Sequence, residues 1–216
     1  MKFGLLGAKL GHSLSPQIHQ EVFRKLGIKA TYELIEVPGD MLAEKVKELR
    51  ITYRGLNVTI PHKVAVMESL DRIAPEAGAI GAVNTVLFKD GLAEGFNTDY
   101  FGFARLLEHN GLAPQGKEVC VLGTGGASRA ILQCVTDMQA RRITVISRAM
   151  ENAPDDIRAR YIVKTYDDLK RMGGDLLINC TPVGMYLHIN QLTVSHFSVS
   201  MKIYKKIRHC RLFRLS

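Results

Sequence analysis

EVCVLGTGGAS, residues 118–128, joins a strand-like apolar run to the start of a helical pattern through a loop rich in glycine. In such a place the loop amides and the helix N-terminus can approach the pyrophosphate of a nucleotide, and side chains in the loop would block that approach. Ser128 stands where the fingerprint has glycine or alanine, which weakens the motif. The order strand, loop, helix, strand still favours nucleotide binding over a structural turn. The loop residues that we expect to bind the nucleotide are Gly123, Thr124, Gly125, Gly126 and Ala127.

The end of the next predicted strand, residues 143–147, bears on the choice of nucleotide. An acidic residue there would bond the ribose 2′-hydroxyl of NAD, whereas this chain has Ser147 followed by Arg148. A guanidinium can hold a 2′-phosphate in a forked, charge-assisted contact. The sequence therefore predicts NADP(H) as the cofactor. A surface arginine is the alternative interpretation of Arg148, and Glu151 keeps NAD from being excluded.

Strand and helix patterns alternate on both sides of the loop, which predicts an α/β fold with largely parallel sheets. Upstream, we predict strands at residues 3–7, 31–37, 55–60, 83–88 and 92–96, the last two as a hairpin. The upstream helices are 15–26, 40–49 and one that Asn97, Thr98 and Asp99 cap and that runs to about residue 109. Downstream, we predict helix 128–138, strands 143–147, 161–164 and 175–179, and a short helix at 166–171.

The pattern restarts after residues 111–116, which contain glycine and proline. We therefore predict two domains, residues 1–99 and 100–186, followed by a tail at 187–216. That tail has six of the 29 basic residues and none of the 21 acidic ones. The net charge of +8 thus belongs mostly to the tail, and the rest of the chain is near balance without a basic stripe. We expect no nucleic-acid partner.

Composition indicates a globular chain, with 46% hydrophobic residues among 216. No apolar run approaches the length of a membrane span, and the run at the N-terminus is too short for a signal peptide, so we expect a cytoplasmic protein and no membrane partner. The four cysteines are far apart and form no CxxC pair, so we expect reduced thiols, no disulfide and no metal site. They are Cys120, Cys134, Cys180 and Cys210.

NVTIPHK, residues 57–63, is a second informative stretch. Val58 and Ile60 alternate with polar residues as in a strand with two unlike faces, and Pro61 suits the first position of a helix. Lys63 would then stand near the end of a strand, where side chains can converge on a substrate. The sequence predicts Lys63 as a proton-transfer group, and a solvated lysine in a turn is the alternative.

These motifs together resemble those of the shikimate dehydrogenase family over roughly residues 1 to 186. The resemblance rests on GHSLSP at 11–16, GLNVTIPHK at 55–63, GAVNT at 81–85, GFNTD at 95–99, the glycine loop, and NCTPVGMY at 179–186. It implies an N-terminal α/β substrate domain and a Rossmann-type NADP-binding domain. It also implies reduction of 3-dehydroshikimate to shikimate, a step in aromatic amino-acid biosynthesis, and it leaves monomer and homodimer open.

The resemblance also assigns roles to individual residues. It implies that Lys63 and Asp99 are the catalytic pair, with Lys63 supplying a proton as hydride reduces the ketone. It implies that Ser13 and Ser15 hold the substrate carboxylate, although Ser15 could instead cap a helix. Ring hydroxyls would be bound by Thr59, Asn84 and Asp99. The nicotinamide side of the cofactor would be lined by Thr181, Val183 and Met185.

After Tyr186 the family motifs end, and the tail lacks the strands and helices with which the family completes its NADP domain. We therefore predict a domain that is incomplete at its C-terminal end, from truncation or an altered reading frame, with an exposed strand edge and impaired activity. A quinate/shikimate dehydrogenase and a non-catalytic remnant that binds nucleotide or substrate are the alternatives. A nucleic-acid binder using the basic tail is disfavoured.

Overall fold

The computed structural model describes residues 1–11, 13–169 and 171–181 with their side chains, and the backbone of residues 202–207. The chain forms two compact units, Met1–Asp99 and Tyr100–Ser216, here called the first and second unit. Among the described residues, none of the helices combines the length and apolar character needed to cross a bilayer.

The first unit is built on a six-stranded sheet in the order β2-β1-β3-β5-β6-β4. Its strands are β1 Lys2–Gly7, β2 Thr31–Glu36, β3 Gly55–Val58, β4 Arg72–Ile73, β5 Thr85–Lys89 and β6 Leu92–Phe96. Its helices are α1 Ser15–Leu26, α2 Leu42–Thr52 and α3 Pro75–Ile80, with short 3-10 helices at Gly39–Met41 and Ala65–Ser69. The predicted hairpin is confirmed as β5 and β6, whose turn places Asp90 and Gly91 at φ 51° and 75°.

Strand directions bring several loops to one edge of this sheet. β1 and β3 run parallel, β5 runs antiparallel to β3, and β6 runs antiparallel to β5. The carboxyl ends of β1, β3 and β6 therefore lie at the same edge as the amino end of β5, and we call it the upper edge. Below it, the sheet packs on α2 through an apolar core that includes Leu6, Val46, Val58, Val66 and Val83.

Two local predictions in the first unit need correction. β3 ends at Val58 rather than at residue 60, and Pro61 does not start an α-helix. The Ile60–Pro61 peptide is cis, and turns through residues 61–64 lead into the 3-10 helix Ala65–Ser69. By contrast, α1 has the predicted bounds, because Pro16 fits its first turn and Gly27 ends it at φ 65°.

The second unit contains a five-stranded sheet in the order β11-β10-β7-β8-β9. Its strands are β7 Glu118–Leu122, β8 Arg142–Ser147, β9 Ile162–Thr165, β10 Gly174–Asn179 and β11 Lys202–Ile207. Its helices are α4 Asp99–His109, which begins at the unit boundary, α5 Gly126–Asp137, α6 Asp155–Arg160 and α7 Tyr166–Leu169, with a 3-10 helix at Met150–Asn152. β7, β8, β9 and β10 are parallel and stand third, second, first and fourth along the sheet, the order of the first four strands of a Rossmann fold. The predicted α/β class is confirmed.

One edge of this sheet differs from the prediction. The sequence predicts an exposed strand edge beside β10, where the domain was expected to be incomplete. In the structure β11 pairs antiparallel with β10, with Ile178 opposite Ile203, so the backbone groups of that edge are bonded.

Candidate active site

Lys63 and Asp99 meet at the upper edge of the first sheet. The Nζ of Lys63 donates a hydrogen bond to Oδ2 of Asp99 at 2.5 Å, and the two side chains are 12% and 31% exposed. The carbonyl of Lys63 accepts the amide of Val83 at 2.7 Å, and the amide of Asp99 donates to Oδ1 of Asn97 at 3.0 Å. Backbone bonds thus fix both members of the pair. A partly desolvated ammonium in such a place can supply a proton to an oxygen that becomes negative.

Asn84 holds the other oxygen of that carboxylate. Its Nδ2 donates to Oδ1 of Asp99 at 2.8 Å and to the hydroxyl of Thr98 at 3.0 Å. Its Oδ1 accepts the backbone amide of Thr98 and the hydroxyl of Thr85, both at 2.9 Å. Asn84 is buried, and its amide is fully used within the protein. The structure therefore shows Asn84 orienting Asp99, and direct contact of Asn84 with a substrate stays a prediction.

Ser13 and Ser15 lie together where the loop after β1 enters α1. The Ser13 hydroxyl donates to Oγ of Ser15 at 3.1 Å and accepts the amide of Ser15 at 3.2 Å. Ser15 is the first helical residue, and the N-cap residue Leu14 makes no side-chain cap bond. Ser15 therefore does not cap α1 through its side chain. Two adjacent hydroxyl groups at the upper edge can donate to a carboxylate, and binding of the substrate carboxylate by this pair stays a prediction.

Thr59 follows β3 at the same edge. Its amide donates to the carbonyl of Leu6 at 2.9 Å and its carbonyl accepts the amide of His62 at 2.9 Å, so the backbone is held on both sides. The side chain is half-buried, and within the described residues its hydroxyl makes no hydrogen bond. That hydroxyl is accordingly available to a ligand.

Three further polar residues lead from β2 to Asn84 of the catalytic cluster, and no role was predicted for any of them. The hydroxyl of Tyr32 donates to Oδ1 of Asn57 at 2.7 Å, and Nδ2 of Asn57 faces the hydroxyl of Thr85 at 3.5 Å. Asn57 and Thr85 are paired residues of β3 and β5, directly below the upper edge. The alternation of Asn57 with Val58 was the available signal that Asn57 points away from the apolar core.

In the second unit, the glycine loop runs between the carboxyl ends of β7 and β10. Gly123 has φ +100°, and a Cβ atom there would lie 3.1 Å from Cγ2 of Thr181 and 3.5 Å from the Cys180 carbonyl. The amide of Gly123 donates to the carbonyl of Ile146 at 2.9 Å, and that of Cys180 donates to Leu122 at 2.9 Å. Strand order reverses at this point, which is where α/β sheets bind ligands.

The start of α5 is shaped for an anion. Gly125 is its N-cap, and a Cβ atom on Gly125 would meet nothing within 4 Å, so the space beside it is open. The first turn contains no acidic residue, and the helix presents its positive end there. Ser128, the weak position of the motif, is buried and donates to the carbonyl of Gly125 at 2.6 Å. Its hydroxyl therefore stabilises the loop. The open space at Gly125 and the positive end of α5 fit a bound pyrophosphate.

Ser147 and Arg148 follow at the carboxyl end of β8. Ser147 is buried, whereas Arg148 is exposed. Burial raises the pKa of Tyr166, at the start of α7, and the nearby charge of Arg148 partly offsets that rise. Arg148 thus lies near the end of β9 as well, with its guanidinium accessible to a phosphate.

The remaining predicted residues are two cofactor residues and the four cysteines. Val183, Met185 and Cys210 lie outside the described residues. Within them, Cys120 and Cys134 are free thiols, and burial raises the pKa of each to about 11, while Cys180 is half-buried. The described part of the chain has no group of three or more His, Cys, Asp or Glu side chains that could hold a metal ion.

Comparison with known proteins gives a consistent family. A family model described as the shikimate dehydrogenase substrate binding domain matches residues 5–86. The shikimate dehydrogenase (NADP(+)) of Clostridium perfringens is 44% identical over 209 residues, covering 95% of this chain and 75% of that protein. An alignment over 95% of this chain is longer than residues 1–186, so it continues into the tail, which has none of the family motifs named above.

Solved structures agree. Shikimate dehydrogenase 1 from Peptoclostridium difficile matches with a TM-score of 0.80 and 39% identity, over 90% of this chain and 71% of that one. Shikimate 5-dehydrogenase from Thermus thermophilus, solved in complex with NADP(H) and shikimate, matches with a TM-score of 0.75 and 35% identity, over 86% of this chain and 70% of that one. The chain therefore belongs to the shikimate dehydrogenase family.

Proposed function

We propose that the chain is an NADP-dependent oxidoreductase that interconverts 3-dehydroshikimate and shikimate. The observation that supports this most strongly is the Lys63–Asp99 pair, joined at 2.5 Å beside Asn84 and Thr59. The substrate of such a site is a cyclic acid with hydroxyl groups. In this proposal, the first unit binds that substrate and the second unit binds the nucleotide.

Lys63 acts as the proton donor to the ketone oxygen during reduction. Asp99 keeps the ammonium in place with one oxygen, while its other oxygen is bound by Asn84. The free hydroxyl of Thr59 bonds a ring hydroxyl, and Ser13 with Ser15 holds the carboxylate. When bound, NADPH supplies the hydride.

The nucleotide would be held by residues of the second unit. The amides of Gly123, Thr124, Gly125, Gly126 and Ala127 bind the pyrophosphate, helped by the N-terminus of α5. At the carboxyl end of β8, where Ser147 is buried, the exposed Arg148 binds the 2′-phosphate, which gives the preference for NADP(H) over NAD(H). Thr181 lies against the loop at Gly123, in keeping with a place at the nicotinamide end together with Val183 and Met185.

We infer a cytoplasmic location from free thiols and an NADP-linked biosynthetic reaction, which suit a reducing compartment. Size-exclusion chromatography with light scattering would decide between the predicted monomer and homodimer.

The test of the proposed function is oxidation of NADPH by the purified 216-residue chain with 3-dehydroshikimate, followed by absorbance. We expect turnover that requires both substrates, with NADH and quinate-type substrates used less well. Binding of shikimate without any turnover would show a non-catalytic binding protein and contradict the proposal. Better turnover with quinate would assign the other dehydrogenase specificity.

A further inference from the structure

A chain of hydrogen-bonded side chains leads from Tyr32 to the catalytic pair within the first unit. It crosses from β2 through β3 and β5 to the start of α4. Its members, in order, are Tyr32, Asn57, Thr85, Asn84, Asp99 and Lys63.

One backbone amide fixes the direction of the bonds beside Asp99. The N–H of Thr98 can only donate, so the atom of Asn84 that faces it at 2.9 Å is the oxygen. The nitrogen of Asn84 then faces Asp99, which suits a carboxylate because a carboxylate only accepts. Thr85, which also contacts that oxygen at 2.9 Å, must donate to it.

The bonds farther from Asp99 keep the same direction. Because the Thr85 proton points to Asn84, the oxygen of Thr85 can only accept from Asn57, so Nδ2 of Asn57 faces it. Oδ1 of Asn57 is then left for Tyr32, whose hydroxyl donates at 2.7 Å. All these bonds point toward Asp99. The contact between Asn57 and Thr85, at 3.5 Å, is the longest and weakest of them.

Tyr32 is built into this position. Its side chain is 4% exposed, and its ring stacks on His19 with centroids 4.0 Å apart and an interplanar angle of 14°. Nδ1 of His19 donates to the carbonyl of Ser15 at 2.8 Å, which ties the stacked pair to the serine loop. Burial raises the pKa of Tyr32 to about 12, and a hydrogen bond with Ser15 acts against that rise. Tyr32 therefore remains a protonated donor at neutral pH.

We propose that Tyr32 is a positioning residue for the dehydrogenase reaction: its ring is held beside the serine loop by His19, and its hydroxyl begins the chain of bonds that ends at the carboxylate of Asp99. Without the Tyr32 hydroxyl, Oδ1 of Asn57 loses its donor, and the long contact between Asn57 and Thr85 loses the bond that supports it from the other side. The inference rests on the proposed function, because it concerns the same substrate site.

Tyr32→Phe removes the hydroxyl and keeps the ring that packs on His19. We expect kcat for shikimate oxidation with NADP⁺ to fall about 3- to 10-fold, the effect of one hydrogen bond, with KM for shikimate changed less than about 2-fold. The matched control is Tyr53→Phe in the same unit. Tyr53 also donates to an acceptor, Oε2 of Glu33 at 2.5 Å, and also has a pKa raised to about 12, but it is outside the chain. We expect Tyr53→Phe to retain the kcat of the unmodified chain.

Thr85 supplies a second test that leaves the Tyr32 site intact. Thr85→Val should lower kcat by a similar factor, and Thr85→Ser, which restores the hydroxyl, should recover it. If the side chains act as a unit, the Tyr32→Phe/Thr85→Val double variant will lose little more than the worse single variant.

Four outcomes separate the possibilities. An unchanged kcat in Tyr32→Phe, an equal loss in Tyr53→Phe, or losses that multiply in the double variant would each overturn the role of Tyr32 while leaving the proposed function standing. If the unmodified chain does not oxidise shikimate at all, the proposed function fails, and the role of Tyr32 fails with it.

Discussion

At the scale of single residues, the position of the Lys63 ammonium depends on the fixed orientation of the Asp99 carboxylate. One oxygen of Asp99 bonds Lys63 and the other bonds Asn84, so rotation of the carboxylate would break a bond at either end. The pair is thus arranged before any substrate arrives, which is the condition for electrostatic help in a transition state.

Lys63→Ala should lower kcat for shikimate oxidation by about 10²- to 10⁴-fold, the usual contribution of a general acid or base. Shikimate binding, measured by calorimetry, should persist because Ser13, Ser15 and Thr59 are untouched. Lys45→Ala is the control, since Lys45 forms an ion pair with Glu48 at 2.7 Å on the surface of α2. Full turnover in a folded Lys63→Ala protein would remove Lys63 from the mechanism.

Arg148→Ala should raise KM for NADP⁺ about tenfold or more and leave KM for NAD⁺ nearly unchanged, because only NADP⁺ has the 2′-phosphate. Arg105→Ala is a suitable comparison, since Arg105 pairs with Glu108 on the exposed face of α4. Equal effects of Arg148→Ala on both nucleotides would mean that Arg148 does not read the 2′-phosphate.

The family resemblance alone predicts Lys63 and Asp99 as a catalytic pair, and the structure shows the hydrogen bond between them. Residue identity could not reveal the partners of Asn84, because Thr85 and Thr98 also fit ordinary strand and cap positions. Tyr32 and Asn57 are 25 residues apart, and only the parallel pairing of β1 with both β2 and β3 brings them together.

At the scale of elements, the loop between β7 and α5 contains two glycines with different structural roles. Gly123 has a positive φ and little room, whereas Gly125 has φ −80° and open space. Only the first is required by the fold itself.

Gly123→Ser should destabilise the protein by about 1–3 kcal/mol, because serine is strained at positive φ and its Cβ presses on Thr181. Gly125→Ser should leave the free energy of unfolding almost unchanged, since serine is a good N-cap. It should nevertheless weaken NADP⁺ binding, because its side chain enters the open space. Denaturant unfolding and nucleotide titration of both variants measure this difference, and equal stability of the two would contradict it.

The same loop shows which structural features local sequence patterns can predict. The strand, loop and helix were predictable because apolar spacing and glycine placement are local signals. Pro61 was misjudged because a proline after a strand-like run suits either a helix start or a turn, and the local pattern does not distinguish them. The strand Lys202–Ile207 was missed because its charged residues mask the alternation typical of an edge strand.

At the scale of the whole molecule, the pH dependence of stability follows from groups whose pKa values change on folding. A backbone amide at Ala93 lowers the pKa of Asp71, and the Arg129 guanidinium lowers that of Asp156. These carboxylates stabilise the fold above about pH 4, their normal range, and that stability is lost as pH falls further. Burial acts oppositely on Cys120, Cys134 and Tyr100, raising their pKa values to about 11, 11 and 12.

We therefore expect Tm to be nearly constant from about pH 5 to 8 and to decline above about pH 9. On the alkaline side, the folded chain keeps protons that the unfolded chain releases near 9 for cysteine and 10 for tyrosine, so stability falls as pH rises through the folded values. Thermal melts between pH 4 and 11 would show this, and a Tm that rises between pH 9 and 11 would be inconsistent with it.

In the proposed reaction, this chain transfers hydride from NADPH to the ketone carbon of 3-dehydroshikimate. The direct measurement uses NADPH deuterated at both C4 positions of the nicotinamide, with mass spectrometry and NMR of the product. We predict shikimate with one deuterium on the former ketone carbon, formed by the unmodified chain and nearly abolished in Lys63→Ala. Product without deuterium, or no product from a folded chain that binds both ligands, would contradict the claim.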